Sequence, residues 1–222
     1  MKLPLVRRSL AQRLRPSTVD YPGLSRRGLL AAVGGTVAVV TLSTLGQTVR
    51  PLSRVSVLAP RRPDIGPQGL PVNTSGVAAK VLSVATDPNY RLHISGPTGS
   101  VHLTLADLAA MTQRTVSLPI TCVEGWSADA EWTGVRVRDL LALVGVPDSR
   151  ATTRVTSLQR DSAYRTSVLP PEHSSDDLTL LALRLNGATL HIDHGFPCRI
   201  IAPNRPGVLQ TKWVGELHVT TS

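Results

Sequence analysis

The chain has 222 residues, enough for one sizeable domain and a tail, and its 41% hydrophobic content fits a globular rather than a disordered polypeptide. The net charge of +9 is lopsided: residues 1–67 hold 11 Lys/Arg against Asp20 and Asp64, while residues 68–222 hold 13 Lys/Arg and 13 Asp/Glu. The C-terminal part is therefore neutral and carries no electrostatic footprint for nucleic acid. Two cysteines, Cys122 and Cys198, cannot build a Cys-rich zinc or iron–sulfur site.

Residues 1–27 read as a basic, cytoplasmic N-terminus ending in Ser25-Arg26-Arg27. Residues 28–49 lack any charged side chain. As a helix they would be about 33 Å long, against a hydrocarbon core of roughly 30 Å. A paired arginine directly before a moderately apolar segment resembles a twin-arginine export signal. No small-x-small cleavage site follows it, so the segment is expected to remain as a transmembrane anchor. Seven Lys/Arg precede it and four follow, which puts the N-terminus inside and the following domain on the extracytoplasmic side of the cytoplasmic membrane. A long buried core helix is the competing reading. Residues 50–72, with Pro51, Pro60, Pro63, Pro67 and Pro71, read as an extended linker.

From residue 73 the pattern becomes that of a strand-rich α+β domain. Arg91–Ser95 and Val101–Leu105 alternate around Gly96-Pro97-Thr98-Gly99, which predicts a hairpin. Thr104 and Asp107 predict a capped short helix through Met111. Thr115–Val123 reads as a strand running into Cys122, and Val135–Val144 as a helix stopped by Gly145. Arg154–Gln159 and Tyr164–Leu169 pair around Asp161-Ser162-Ala163. Leu178–Leu185 and Thr189–Ile192 form a second hairpin through Asn186-Gly187. Strands at Arg199–Ala202 and Trp213–Thr220 close the domain.

Two clusters carry chemistry. The first is Cys122-Val123-Glu124-Gly125-Trp126-Ser127 with Trp132-Thr133-Gly134. A Cys at a strand end beside a Gly turn is placed to face a cavity, although the usual fate of a lone Cys is that of a small buried hydrophobe. The second is His194-Gly195-Phe196-Pro197-Cys198-Arg199, followed by Asn204-Arg205-Pro206-Gly207 and Lys212-Trp213. Glycines allow close backbone approach, and Arg and Lys suit a phosphate; an ordinary turn with surface cations is the plainer account.

In this order and spacing the two clusters resemble the molybdopterin domain of the sulfite oxidase family, over roughly Asn73 to the C-terminus. In that family a Cys-Val-Glu-Gly-Trp-Ser-type strand end is followed by Trp-x-Gly, then by an Asn-Gly turn, His/Asn-Gly-x-Pro-x-Arg and Lys-Trp. The resemblance implies a molybdenum–molybdopterin cofactor with Cys122 as the protein thiolate on the metal. It implies pterin and phosphate contacts from Asn73, Ser157, His194, Arg199 and the loop holding Gly207, Val208, Leu209 and Lys212. Leu209 departs from the family's Lys, and Cys198 replaces an aliphatic residue and reads as core.

The chain stops one strand beyond Lys212-Trp213 and has no Cys-x-x-Cys-His, so neither an immunoglobulin-like dimerisation domain nor a c-type cytochrome is expected, and the domain is expected to be monomeric. This is similar to the compact bacterial branch, which includes the periplasmic methionine-sulfoxide-reducing enzyme. The implied function is two-electron oxygen-atom transfer on a small oxo or sulfur substrate, with a membrane or soluble electron-transfer partner. Arg160, Asp161 and Tyr164 are candidate substrate-pocket residues from their hairpin position, and read equally as solvated turn residues. Three other readings stand beside this one: a Cys122–His194 nucleophile pair, a zinc site from His191, Asp193 and His194, and a membrane-bound binding module without turnover.

Overall fold

The computed structural model describes residues 25–45, 66–146 and 151–221. The readings of a basic N-terminus up to residue 24 and of a linker over 50–65 lie outside the described residues.

Helix α1 (Arg26–Leu45) begins at the paired arginine. It leaves Leu29, Leu30, Val33, Val37, Val39 and Val40 exposed. Among the described residues no helix is long and apolar enough to cross a membrane. Residues 28–45 of the expected 28–49 segment are helical, and 46–49 are not described.

The domain is two five-stranded sheets. Strands β1 (Leu92–Gly96), β2 (Gly99–Leu103), β5 (Ala151–Ser157), β6 (Thr166–Leu169) and β10 (Val214–Thr221) form the first, in the order β2-β1-β10-β5-β6. Strands β3 (Gln113–Thr121), β4 (Ser127–Arg136), β7 (Leu180–Leu185) and β8 (Ala188–Thr189) form the second in that order, and β9 (Arg199–Ile201) pairs with β7. Short helices α2 (Leu82–Ala85), α3 (Leu105–Ala110), α4 (Val137–Ala142) and α5 (Pro171–Ser174) fill the connections. Leu92, Ile94, Val155, Leu217 and Val219 from the first sheet meet Val135, Leu181 and Ile200 from the second in one core, with Leu108 of α3 and Leu140 and Leu141 of α4. Because strand side chains alternate, the other face of the second sheet carries a separate cluster of Val116, Leu118, Ile120, Trp132, Leu180, Ala182, Leu185 and Ile201. The cavity described below lies on that side.

Local chemistry accounts for the elements that match the sequence reading. The β1–β2 hairpin turns at Pro97-Thr98, and Gly99 takes φ 129° at its end. The Thr104 hydroxyl accepts from the Asp107 amide while the Asp107 carboxylate accepts from the Thr104 amide, a reciprocal cap that starts α3.

Other boundaries differ from it. Residues 127–136, unassigned or read as the start of a helix, are the ten-residue strand β4, paired residue for residue with β3 from Thr121↔Ser127 to Gln113↔Val135. Helix α4 keeps only Val137–Ala142 of the expected Val135–Val144. Asp129, Glu131 and the two alanines have low strand propensity, and the alternation of buried Ala130 and Trp132 with exposed neighbours wins because it matches the pleat against β3. Strand β5 lies earlier than Arg154–Gln159, at Ala151–Ser157. Residues 66–72 are not a free linker either, since Leu70 is 2% exposed and packs into the second cluster.

Candidate functional site

Strands β3 and β4 are joined by the five residues Cys122–Trp126. The Cys122 amide donates to the Trp126 carbonyl at 2.9 Å, and the Gly125 amide to the Cys122 carbonyl at 3.0 Å. Gly125 has φ 87°, a conformation that favours glycine and closes the turn tightly. The hairpin thereby holds the Cys122 side chain in the wall of a cavity of about 120 Å3 that opens to solvent. Trp126 lines the same wall, and its indole N–H donates to Glu124 at 3.3 Å.

The same cavity is lined by Arg199 and Lys212. Arg199 opens β9, is 3% exposed, and lies 5.0 Å from the Trp132 ring centroid. It donates to the His194 carbonyl at 3.0 Å and to the Gln210 carbonyl at 3.3 Å; its Nε has no partner. Burial brings the guanidinium down to about 9, which leaves it a cation at neutral pH. Lys212 donates to the Thr74 and Asp193 carbonyls at 2.6 and 3.0 Å and to Asn73 Oδ1 at 3.2 Å. Burial, and then the neighbouring Arg199 charge, pull its ammonium down to about 7. Gly195, at φ 114°, separates the two: a Cβ there would sit 3.0 Å from Arg199 Cβ and 3.1 Å from Lys212 Cβ. Among the described residues neither cation forms an ion pair with a carboxylate.

Residues 66–76 form a strap whose Leu70–Thr74 stretch lines the cavity. The Gln68 side chain donates to the Leu185 and Thr189 carbonyls and accepts from the His191 amide. His194 Nε2 meets the Pro67 carbonyl at 2.7 Å, and the Gly76 amide donates to the Asp193 carboxylate at 2.7 Å. Burial pushes the His194 imidazole down to about 4, so it is neutral at pH 7 and Nε2 carries the proton given to Pro67.

Acid should therefore loosen this corner. The unfolded chain takes up the His194 proton near pH 6.5 and the folded chain only near 4. Stability is thus lost progressively as pH falls between those values, by up to about 3 kcal/mol. Urea titrations from pH 7 to pH 4 on the wild type and on His194→Gln measure this, and the drop should be smaller in the variant.

Of the residues expected at the site, Asn73, Cys122, Ser157, Tyr164, His194, Arg199, Gly207, Val208 and Lys212 line the cavity. Ser157 acts through its hydroxyl, which donates to the Lys212 carbonyl at 2.8 Å and so shapes the loop. Three other candidates lie outside the lining. Leu209 does not line the cavity; it sits at the back of the Gly207–Leu209 turn with its carbonyl bound by Arg205. Arg160 is exposed and outside the lining, because β5 ends at Ser157 and the chain turns outward before it. Asp161 also lies outside it, paired on the surface with Lys80 at 3.6 Å.

The sequence reading missed Gln159, Ser162, Gln210 and Thr211, all in the lining. Trp126, a member of the first cluster, was given no role of its own and lines the cavity too. Proximity to Ser157, Tyr164 and Lys212 along the chain was the available signal for the other four.

The zinc reading fails on geometry. The His191 and His194 rings are 6.4 Å apart at 66°, and among the described residues no three His, Cys, Asp or Glu side chains could hold a metal ion. The nucleophile reading is weakened because His194 gives its Nε2 to Pro67.

One thiol, the buried Arg199 and the half-buried Lys212 line one cavity, neither basic group in an ion pair with a carboxylate among the described residues, and together suit a ligand with a soft-metal end and an anionic end. The model of oxidoreductase molybdopterin-binding domains matches residues 78–222. The chain belongs to the molybdopterin-binding oxidoreductase family.

Members of this family similar to the chain include mouse mitochondrial sulfite oxidase, 32% identical over 161 residues, which cover 60% of this chain and 30% of that protein. A protein of Azospira oryzae named as a protein-methionine-sulfoxide reductase subunit is 34% identical over 140 residues, 60% of this chain and 50% of that one. The NADH nitrate reductase of Ulva prolifera is 30% identical over 163 residues, 60% of this chain and 19% of its own length. The sulfane dehydrogenase SoxCD of Paracoccus pantotrophus has the same fold, with a TM-score of 0.54 and 25% identity over 61% of this chain and 39% of that chain. The chain thus spans half or less of the length of these relatives. It is a molybdopterin-dependent oxidoreductase domain, and its cofactor is molybdenum held by molybdopterin.

Proposed function

We propose that this domain performs two-electron oxygen-atom transfer on a small oxo or sulfur compound, on the extracytoplasmic side of a membrane. The observation that supports the reading is the single cavity shared by the Cys122 thiol and the Arg199–Lys212 cation pair. When bound, the molybdenum–pterin group supplies the redox chemistry.

The chain's own residues do the rest. Cys122 provides the soft thiolate that suits the metal, presented by the tight Cys122–Trp126 loop. Arg199 and Lys212 balance the phosphate charge. Gly195 leaves room for the Arg199 and Lys212 side chains beside it, and Gly207 lets the cavity-lining loop lie against the Cys122 hairpin, where a Cβ would be 2.9 Å from the Thr121 carbonyl. Trp126, together with the strap residues Leu70–Thr74, covers the flanks of the cavity and limits water. Tyr164 and Ser162, from the loop between β5 and β6, line the cavity too and are the groups available to a substrate. The purified protein should carry about one molybdenum and one pterin per chain, read by metal analysis and pterin fluorescence. Absence of both from soundly folded protein would refute the reading.

The proposed location rests on Arg26-Arg27 at the start of α1 and on the exposed apolar side chains of that helix. A receptor that reads the arginine pair would not accept lysine. Arg26→Lys with Arg27→Lys should therefore leave cofactor-loaded protein inside the cell, as fractionation would show; unchanged export of the double variant would contradict the location. An electron carrier, in the membrane or soluble, completes the two-electron balance.

A further inference from the structure

Arg205 is a second buried arginine that the cavity does not use. It is 9% exposed, and its Nε has no partner. Burying a cation among carbonyls is costly and calls for a compensating role. One nitrogen, Nη2, donates both to the Val168 carbonyl on β6 at 3.0 Å and to the Leu209 carbonyl at 3.2 Å. From the far end of the same turn, the Gln210 side-chain amide donates to the Arg205 carbonyl at 3.0 Å. The loop 205–210 is thus closed on itself and fastened to the edge strand of the first sheet. Beside it, the buried Ser167 and Thr211 hydroxyls meet at 2.7 Å, a second tie between β6 and the same loop.

This loop stands at a junction. Gly207 lies against the Thr121 carbonyl, one residue before Cys122. Gly207, Val208, Gln210, Thr211 and Lys212 line the cavity. The hairpin that ends in β6 brings Ser162 and Tyr164 to the mouth. We propose that Arg205 is a positioning residue for the cofactor, holding the Gly207–Lys212 loop in register between β6 and the Cys122 hairpin. This rests on the cofactor reading above. Lysine can replace only part of Arg205: its ammonium can also donate to two carbonyls, but it sits on a flexible stem without the planar guanidinium that fixes the direction of the Nη2 N–H groups.

The test uses the full, cofactor-loaded chain and compares Arg205→Ala, Arg205→Lys and Thr211→Val with the parent. Pterin release after dilution is followed by fluorescence, molybdenum per chain by metal analysis, and Tm separately. Arg205→Ala should release pterin at least tenfold faster than the parent. Arg205→Lys should fall between them, and Thr211→Val should show a smaller acceleration with Tm close to the parent's. Release at the parent rate from a folded Arg205→Ala overturns the proposal. So does a series in which release tracks Tm alone, with no rescue by lysine. If Arg205→Ala does not fold, parent-rate release from Thr211→Val overturns it. A parent protein that carries neither molybdenum nor pterin refutes the cofactor reading instead, and this proposal with it.

Discussion

Replacing Cys122 by Ser is expected to reduce redox turnover to background while the protein stays folded. The contacts that build the Cys122–Trp126 hairpin are backbone hydrogen bonds, which serine retains. The side chain is small and nearly buried, so the swap should cost on the order of 1 kcal/mol of stability. What it removes is the soft thiolate, and an alkoxide is a harder, more basic donor that mistunes the metal. Turnover of sulfite with an artificial electron acceptor, and of sulfoxides and N-oxides with an artificial donor, reads the effect. X-ray absorption should show one sulfur fewer around molybdenum.

Cys198→Ser is the matched control. That thiol is fully buried against the Tyr90 hydroxyl at 3.2 Å, and burial pushes it up to about 12, so it is a packing residue with no thiolate to offer. Its loss should lower Tm and spare turnover. Parent-rate turnover in Cys122→Ser would remove Cys122 from the metal.

The second large effect is expected at Arg199. Arg199→Ala should leave less than a tenth of the parent's pterin, and Lys212→Ala clearly more. Sequence chemistry gives the reason for a phosphate contact: a planar fork aimed by the turn before it. The structure adds that the guanidinium also ties the His194 and Gln210 carbonyls, which would lose their donor in the same variant. Each such charge-assisted bond contributes roughly 1.5–3 kcal/mol, so a stability loss should accompany the cofactor loss. Molybdenum and pterin content must therefore be read beside circular dichroism and Tm. Arg199→Lys keeps the charge but not the fork and should stay low in pterin. Full occupancy in a folded Arg199→Ala variant would make this arginine purely structural.

Legibility in the sequence followed the range of the interactions. The β1–β2 hairpin and the Thr104–Asp107 cap are built from residues three to eleven apart, and both were readable as written. Strand β4 was not. Its Ser-Ala-Asp-Ala-Glu stretch has weak intrinsic preference, and only the partners on β3 and β7 make its alternation meaningful. The same holds for the site. Cys122 and Lys212 stood out from composition and order, whereas Arg160 and Asp161 were placed by their position in a hairpin and lie outside the cavity's lining. A turn tip has no periodicity to tell in from out, so nothing local could have separated Tyr164 and Ser162 from their neighbours.

By itself the sequence determined the order of the chemistry: one thiol at a strand end, a Gly-Pro turn leading to an arginine, and a lysine beside a tryptophan. Those are covalent facts of the chain, and their spacing already resembled one family. Only the tertiary structure decided what each group faces. Crossing β9 beside β7 buries Arg199 without a carboxylate, and at Lys212, which donates to the Thr74 carbonyl of the strap, burial and then the neighbouring Arg199 charge pull the ammonium down to about 7. Burial, and with it the charge state and the free valence of each group, depends on segments more than a hundred residues apart meeting in space, and no local pattern carries that information.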